Sequence, residues 1–185
     1  MTISKAIEVV VRLADRGIVK DYAITGAVAA LIYIEPFLTE DLDVLVAIDG
    51  FDDHLSGLIL LTPIESALAD MGYTERSGPS ILVEGWPVQF IPVASSLDEE
   101  SLRAAQEMEI ARAPSVRARV LKPEHIIAKA VSIGRLKDLA RVEAFLDQNA
   151  VDLGALRSVV DCFQLKDAWA EFCTKSGRID PLRVG

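Results

Sequence analysis

Asp41 and Asp43 are the side chains whose type and spacing point most directly to chemistry. In "TEDLDVLVAI" (39–48) they alternate with Leu42 and Val44 and run into Leu45, Val46 and Ile48, a strand pattern by composition and length. Residues two apart on a strand face the same way, about 6.5–7 Å apart along the chain. Carboxylates so placed repel each other unless a cation or a donor lies between them. An isolated Asp-x-Asp often does no more than cap a loop at a sheet edge, but here the surroundings are fuller. "YAITG" (22–26) is a short strand ending at a glycine, and "AVAALIYI" (27–34) opens a helix before the acids arrive on the next strand. The turn after Gly26 offers backbone N–H groups at a helix N-terminus to an anion such as phosphate. Two neighbouring carboxylates suit Mg²⁺, a hard cation that takes carboxylate and phosphate oxygens together. A phosphate cradle, a metal and carboxylates are the working parts of phosphoryl and nucleotidyl transfer.

The elements that must position these residues can be traced along the chain. Ile3, Ile7, Val10 and Ala14 recur at helical spacing, and Gly17 can close that helix. After the acidic strand, "FDDHLSGLILLTPIESALADMGY" (51–73) holds one or two helical segments broken near Pro63 and closed by Gly72. "SILVEGWPVQFIPV" (80–93) reads as a hairpin turning at Gly85-Trp86. "DEESLRAAQEME" (98–109) reads as a helix with acids in its first turn, and "VRARVL" (116–121) alternates like a strand. Pro123 suits the first position of a helix, and every later segment is helical: 123–134, 135–148, 153–163 and 166–177. The expected class is α+β: a mixed sheet flanked by helices over residues 1–121, then a helical region over 122–185.

Composition narrows the function further. The chain has 185 residues, 51% hydrophobic and 25% charged, which is an ordinary globular mixture. A net charge of −9 argues against a generic grip on nucleic acid or anionic lipid, which relies on clustered Lys and Arg. Cys162 and Cys173 match no zinc spacing and are expected to be buried free thiols. No secretory signal is visible, and the longest apolar runs are far too short to span a bilayer, so a soluble cytoplasmic protein is expected. His54 and His125 stand beside no Ser or Cys nucleophile motif, Gly26 has no GxGxxG companions, and Trp86 and Trp169 read as packing residues.

The stretch "YAITGAVAALIYIEPFLTEDLDVLV" (22–46) resembles the opening signature of the nucleotidyltransferase superfamily with the DNA-polymerase-β-like fold. That signature is a hydrophobic residue, a glycine, a glycine or serine, a spacer, and then acid–hydrophobic–acid. "LKPEHIIAKAVSIGRLKDLARVEAFL" (121–146) is similar to the helical segment of a bacterial branch of small uncharacterised and abortive-infection toxin-like members. The resemblance implies a nucleoside triphosphate as substrate and Mg²⁺ as cofactor, with Asp41 and Asp43 as metal ligands and catalytic acids. It implies phosphate contacts from Thr25, Gly26, Ala27, Lys129 and Lys137, with Arg135 nearby. Asp138 would orient a base or assist a proton transfer, or else simply pair with Arg141 three residues on. The acceptor is unknown, and the toxin-like branch implies a small antitoxin-like protein as partner.

Three positions depart from that pattern. Ala27 stands where a glycine or serine is usual, and Phe37 replaces a basic residue. The third carboxylate of a two-metal site belongs on "VQFIPV" (88–93), where the facing residue is Gln89, an amide that can ligate but brings no charge. Glu84 could substitute only if its register brings it inward, and its place beside Gly85 predicts exposure. These departures predict a weak second metal site. They keep open a catalytically degenerate chain that binds nucleotide or a partner, and a plain metal- or nucleotide-sensing domain.

Overall fold

The computed structural model describes residues 3–35, 39–48, 61–112 and 115–183. In chain order it contains α1 (Ile3–Asp15), β1 (Asp21–Thr25), α2 (Gly26–Ala30), β2 (Leu42–Ala47) and α3 (Thr62–Asp70). There follow β3 (Arg76–Ser77), β4 (Ser80–Val83), β5 (Trp86–Pro92), α4 (Ser96–Ala104), β6 (Gln106–Arg112) and β7 (Ser115–Val120). The chain then stays helical through α5 (Pro123–Ile133), α6 (Leu136–Asp147), α7 (Leu153–Cys162) and α8 (Lys166–Ser176). The class is the expected mixed one, a sheet flanked by helices. His54 and Phe37 fall outside the described residues, as does residues 51–60 of the helical stretch expected over 51–73.

The strands form one seven-stranded mixed sheet in the order β3-β4-β5-β2-β1-β7-β6. Its centre is β2, antiparallel to β1 on one side and parallel to β5 on the other. Buried on both faces, such a strand reads as a near-continuous apolar run, and Leu42, Val44, Leu45 and Val46 are all buried. α1 contributes Ala6, Ile7, Val10 and Leu13 to the core. One hydrophobic cluster continues from α1 and the sheet into Ile127 of α5, Phe145 of α6, Leu156 of α7 and Phe172 of α8. Among the described residues, no helix is long and apolar enough to cross a membrane.

Four sequence expectations need correction. The helix expected over 98–109 stops at Ala104, and Gln106–Arg112 is the edge strand β6, paired antiparallel with β7. Gln, Glu and Met favour helix alone, but the ladder with β7 satisfies this backbone and tertiary pairing overrides the local preference. The hairpin turns at Glu84-Gly85, one residue earlier than expected, with φ +53° and +77°. Positive φ at both central residues is the geometry that matches strand twist in a two-residue hairpin. Glu84 is half-buried rather than exposed, because the Tyr73 hydroxyl donates to its carboxylate at 2.5 Å. Of the two thiols, Cys173 is buried as expected, whereas Cys162 is exposed at the end of α7.

Candidate functional site

The sheet register sets the site. Asp43 lies opposite Thr25 of β1 and opposite Gln89 of β5, so the three side chains stand in a row on one face. Asp41 immediately precedes β2, and the Thr39 hydroxyl donates to its carbonyl at 3.0 Å. Gly26, directly after β1, has φ +65°, and a Cβ there would lie 2.2 Å from Asp43 Oδ2. The glycine therefore makes room for the carboxylate as well as for the turn. Thr25 is buried and makes no capping hydrogen bond to α2, and Ala27 is buried against the same turn.

The opposite wall comes from α5 and α6. Gly134, in the left-handed conformation at φ +71°, ends α5 and lets the chain reverse into α6. That corner brings Lys129, Arg135, Lys137, Asp138 and Arg141 to a cleft of about 220 Å³ whose sheet wall is Thr25, Gly26, Asp41, Asp43 and Gln89. Ile91, Ile126 and Ile133 supply its apolar surface. Every expected site residue except Ala27 thus lines one cleft. Ala27 lines a second cavity of about 530 Å³ that shares Asp41, Lys137 and Arg141 with the first.

Electrostatics at the acids are strained. Burial, and then the negative charge of Asp41, push the Asp43 carboxyl up from 3.8 to about 6, against the opposing pull of Lys137 and Arg141. The acid pair therefore faces the cleft with its mutual repulsion only partly offset by Lys137 and Arg141. Asp138 is buried and pairs with Arg141 at 3.3 Å, both side chains 11% exposed. The i, i+3 pair foreseen on α6 is therefore present, and it faces the cleft rather than open solvent.

Lys129 lines the cleft, yet its ammonium bonds the carboxylate of Asp98 on α4. Asp98 also accepts from Ser95 Oγ at 2.8 Å and the Ala94 amide at 3.2 Å. Burial opposes its charge, but Lys129, Ser95 and Ala94 outweigh that and hold its carboxyl below the usual range. Sequence reading passed over Asp98, Glu40 and the cleft-facing role of Arg141; nothing in their local spacing marks them, since each depends on α4, α6 or the 39–41 turn being folded back. Glu84, bonded to Tyr73, is not among the residues lining the cleft. Neither is His125, which is buried on α5 with its pKa lowered to about 4 by burial and by Lys122.

The donor set tests the implied metal. Among the described residues there is no group of three or more His, Cys, Asp or Glu side chains arranged to hold an ion. Asp41, Asp43 and the carbonyl of Gln89 fit one hard divalent cation completed by phosphate oxygens. They do not supply the charge for two.

No known protein-family model matches the chain, and no curated protein resembles it in sequence. Among solved structures, it is similar to the crystal structure of an antigenic nucleotidyltransferase-like protein from Paracoccidioides brasiliensis. The similarity covers 94% of this chain and 88% of that one, at 14% identity and a TM-score of 0.56. With the row of Thr25, Asp43 and Gln89 on the central strands and the basic α5–α6 corner facing it, this chain has a nucleotidyltransferase-like fold.

Proposed function

We propose that the cleft binds a nucleoside triphosphate with one Mg²⁺ and transfers its nucleoside monophosphate to an acceptor. The observation that carries this reading is the acid pair of Asp41, just before β2, and Asp43, on it, facing Lys137, Arg135 and Arg141 across a single cleft. Asp41 and Asp43 would hold the ion, with Gln89 as a neutral third ligand. The ion supplies charge neutralisation for the transferred phosphoryl group and the leaving pyrophosphate. This chain's own part is to bind and orient: Lys137 and Arg135 are poised for phosphate oxygens, and the Gly26 turn leaves the backbone uncovered beside them. In the step, an acceptor hydroxyl or amine forms a bond to the α-phosphorus as the bond to pyrophosphate breaks. The acceptor's proton leaves to water, while Asp138 holds and orients Arg141 through their 3.3 Å pair. Calorimetry with Mg²⁺ and ATP tests the reading: micromolar-to-millimolar binding that disappears in Asp43→Ala is expected, and binding unchanged by that variant would refute it.

Gln89 favours a second reading, a catalytically degenerate chain that binds nucleotide or a small antitoxin-like protein without transferring anything. An amide in register with Asp43 cannot act as a base near neutral pH. Under this reading the wild type transfers no labelled nucleotide to RNA, protein or small acceptors, and Gln89→Asp tightens Mg²⁺ binding. Robust wild-type turnover would end it.

A further inference from the structure

The two adjoining cavities differ in chemistry and size in a way that divides a nucleotide between them. The inner cleft, about 220 Å³, holds both acids and the cluster of Lys and Arg side chains. It is too small to enclose a whole nucleoside triphosphate, since sites that bury ligands of that size run to roughly 300–1,000 Å³. The outer cavity, about 530 Å³, falls inside that range. Among the described residues its private wall is Ala27 on α2 and Ala140 on α6, with Thr39 and the carboxylate of Glu40 beside them. Ala140 is exposed, so the cavity opens towards solvent beside α6.

The residues common to both are Asp41, Lys137 and Arg141. In a nucleoside triphosphate the α-phosphorus is the atom that joins the nucleoside to the phosphate chain. It is also the atom attacked in nucleotidyl transfer, so it belongs where acid and cations are concentrated and where the two cavities meet.

We infer that the outer cavity between α2, the 39–41 turn and α6 is the nucleoside subsite, with the phosphate chain in the inner cleft and the α-phosphate at the Asp41–Lys137–Arg141 boundary. The inference rests on the nucleotide-binding reading above and names where its apolar half lies. Glu40, an acceptor-only carboxylate, is placed to take hydrogen bonds from ribose hydroxyls or from a base amine. Ala27 and Ala140 put only methyl groups on the α2 and α6 sides of the space where the ring system would lie.

The test compares two probes, Mg²⁺ with ATP and Mg²⁺ with inorganic tripolyphosphate, by calorimetry on the full chain. Ala140→Trp fills the outer cavity from a solvent-facing position on α6 and leaves the core untouched. It should weaken ATP at least tenfold and leave tripolyphosphate within twofold. Glu40→Gln, which keeps the size and removes the charge, should weaken ATP about threefold and again spare tripolyphosphate. ATP binding unaffected by Ala140→Trp would overturn the inference and place the nucleoside against Ile126 and Ile133 instead. Equal weakening of both probes would overturn it too, because the outer cavity would then hold phosphate. If the wild type binds neither probe, the nucleotide-binding reading itself fails, a result distinct from either of these. Far-ultraviolet circular dichroism and a thermal melt of each variant separate loss of fold from loss of the subsite.

Discussion

Asp43 Oδ2 occupies the space that a side chain on residue 26 would need: a Cβ built there sits 2.2 Å away, with the Cβ and Cγ of Asp43 each at 3.1 Å. One glycine therefore serves two ends, a backbone at φ +65° and a seat for a carboxylate on the neighbouring strand. Gly26→Ala should cost about 1–3 kcal/mol of stability from the strained φ alone. It should also push Asp43 out of its row and weaken Mg²⁺·ATP about tenfold or more. Urea denaturation and calorimetry on the same variant check both; full stability with full affinity would show that Asp43 needs no such seat.

Asp43 and His125 make opposite contributions to stability over the same acidic range. The Asp43 carboxyl is raised from 3.8 to about 6, so its native-state penalty is fully present above pH 6 and is relieved as pH falls towards 4. The buried His125 is lowered from 6.5 to about 4, so the unfolded chain takes up its proton first and stability is lost as pH falls from 6.5 to 4. Each shift corresponds to about 3 kcal/mol. Acting alone, the two nearly cancel. Asp43→Asn should gain about 1–3 kcal/mol at pH 7.5 and then lose stability steeply below pH 6.5, whereas His125→Gln should gain on acidification. Denaturation free energies at half-unit pH steps give the slopes; parallel curves for wild type and both variants would contradict the assignment.

The relief of Asp43 can also come from a cation. Mg²⁺ should raise the melting temperature of the wild type at pH 7.5, by mass action on the native state. The rise should vanish in Asp43→Asn, which keeps the size and shape of the side chain but loses the charge. A thermal melt with and without excess EDTA reads the difference.

Arg141 supports both the site and the fold. Its partner Asp138 is buried, so Arg141→Ala leaves a buried carboxylate uncompensated, a change that costs about 3–5 kcal/mol for well-buried pairs. The double variant Arg141→Leu with Asp138→Leu should recover most of that loss without recovering nucleotide binding. Stability that stays low in the double variant would mean that Arg141 carries other essential contacts.

Asp98 holds Lys129 at the back of the cleft and receives Ser95 and the Ala94 amide at the start of α4. Its lowered carboxyl stabilises the fold above the ordinary Asp range, a contribution lost as pH falls through its native pKa. Asp98→Asn should therefore be markedly destabilising at pH 7, with the penalty shrinking as pH falls below the ordinary Asp range. A pH-independent penalty would point to packing rather than charge.

Much of the site was legible in the linear pattern. Asp41 and Asp43 announce themselves by alternating with apolar residues at the mouth of a strand, and Gly26 because a strand-to-helix turn needs a residue free of steric restriction. Gln89 was identified as their neutral neighbour by position in the hairpin, and the parallel register of β5 against β2 places it there. The four C-terminal helices were readable from amphipathic spacing alone, since each buries one stripe. The edge strand β6 was not, because Gln106–Arg112 carries helix-favouring residues and becomes a strand only where β7 offers a ladder to pair with.

The amino-acid sequence by itself determined the fold class, the acid pair and its glycine, because these follow from periodicity and backbone sterics within short windows. Only the tertiary structure decided that the Gly134 corner turns α6 back over the sheet. That turn presents Lys137 and Arg141 to Asp43, and it opens a second cavity beside Ala140. The physical reason is that charge–charge terms and cavities depend on distances between segments up to about a hundred residues apart in the chain. Those distances are set by how the whole core packs, and no local spacing records them.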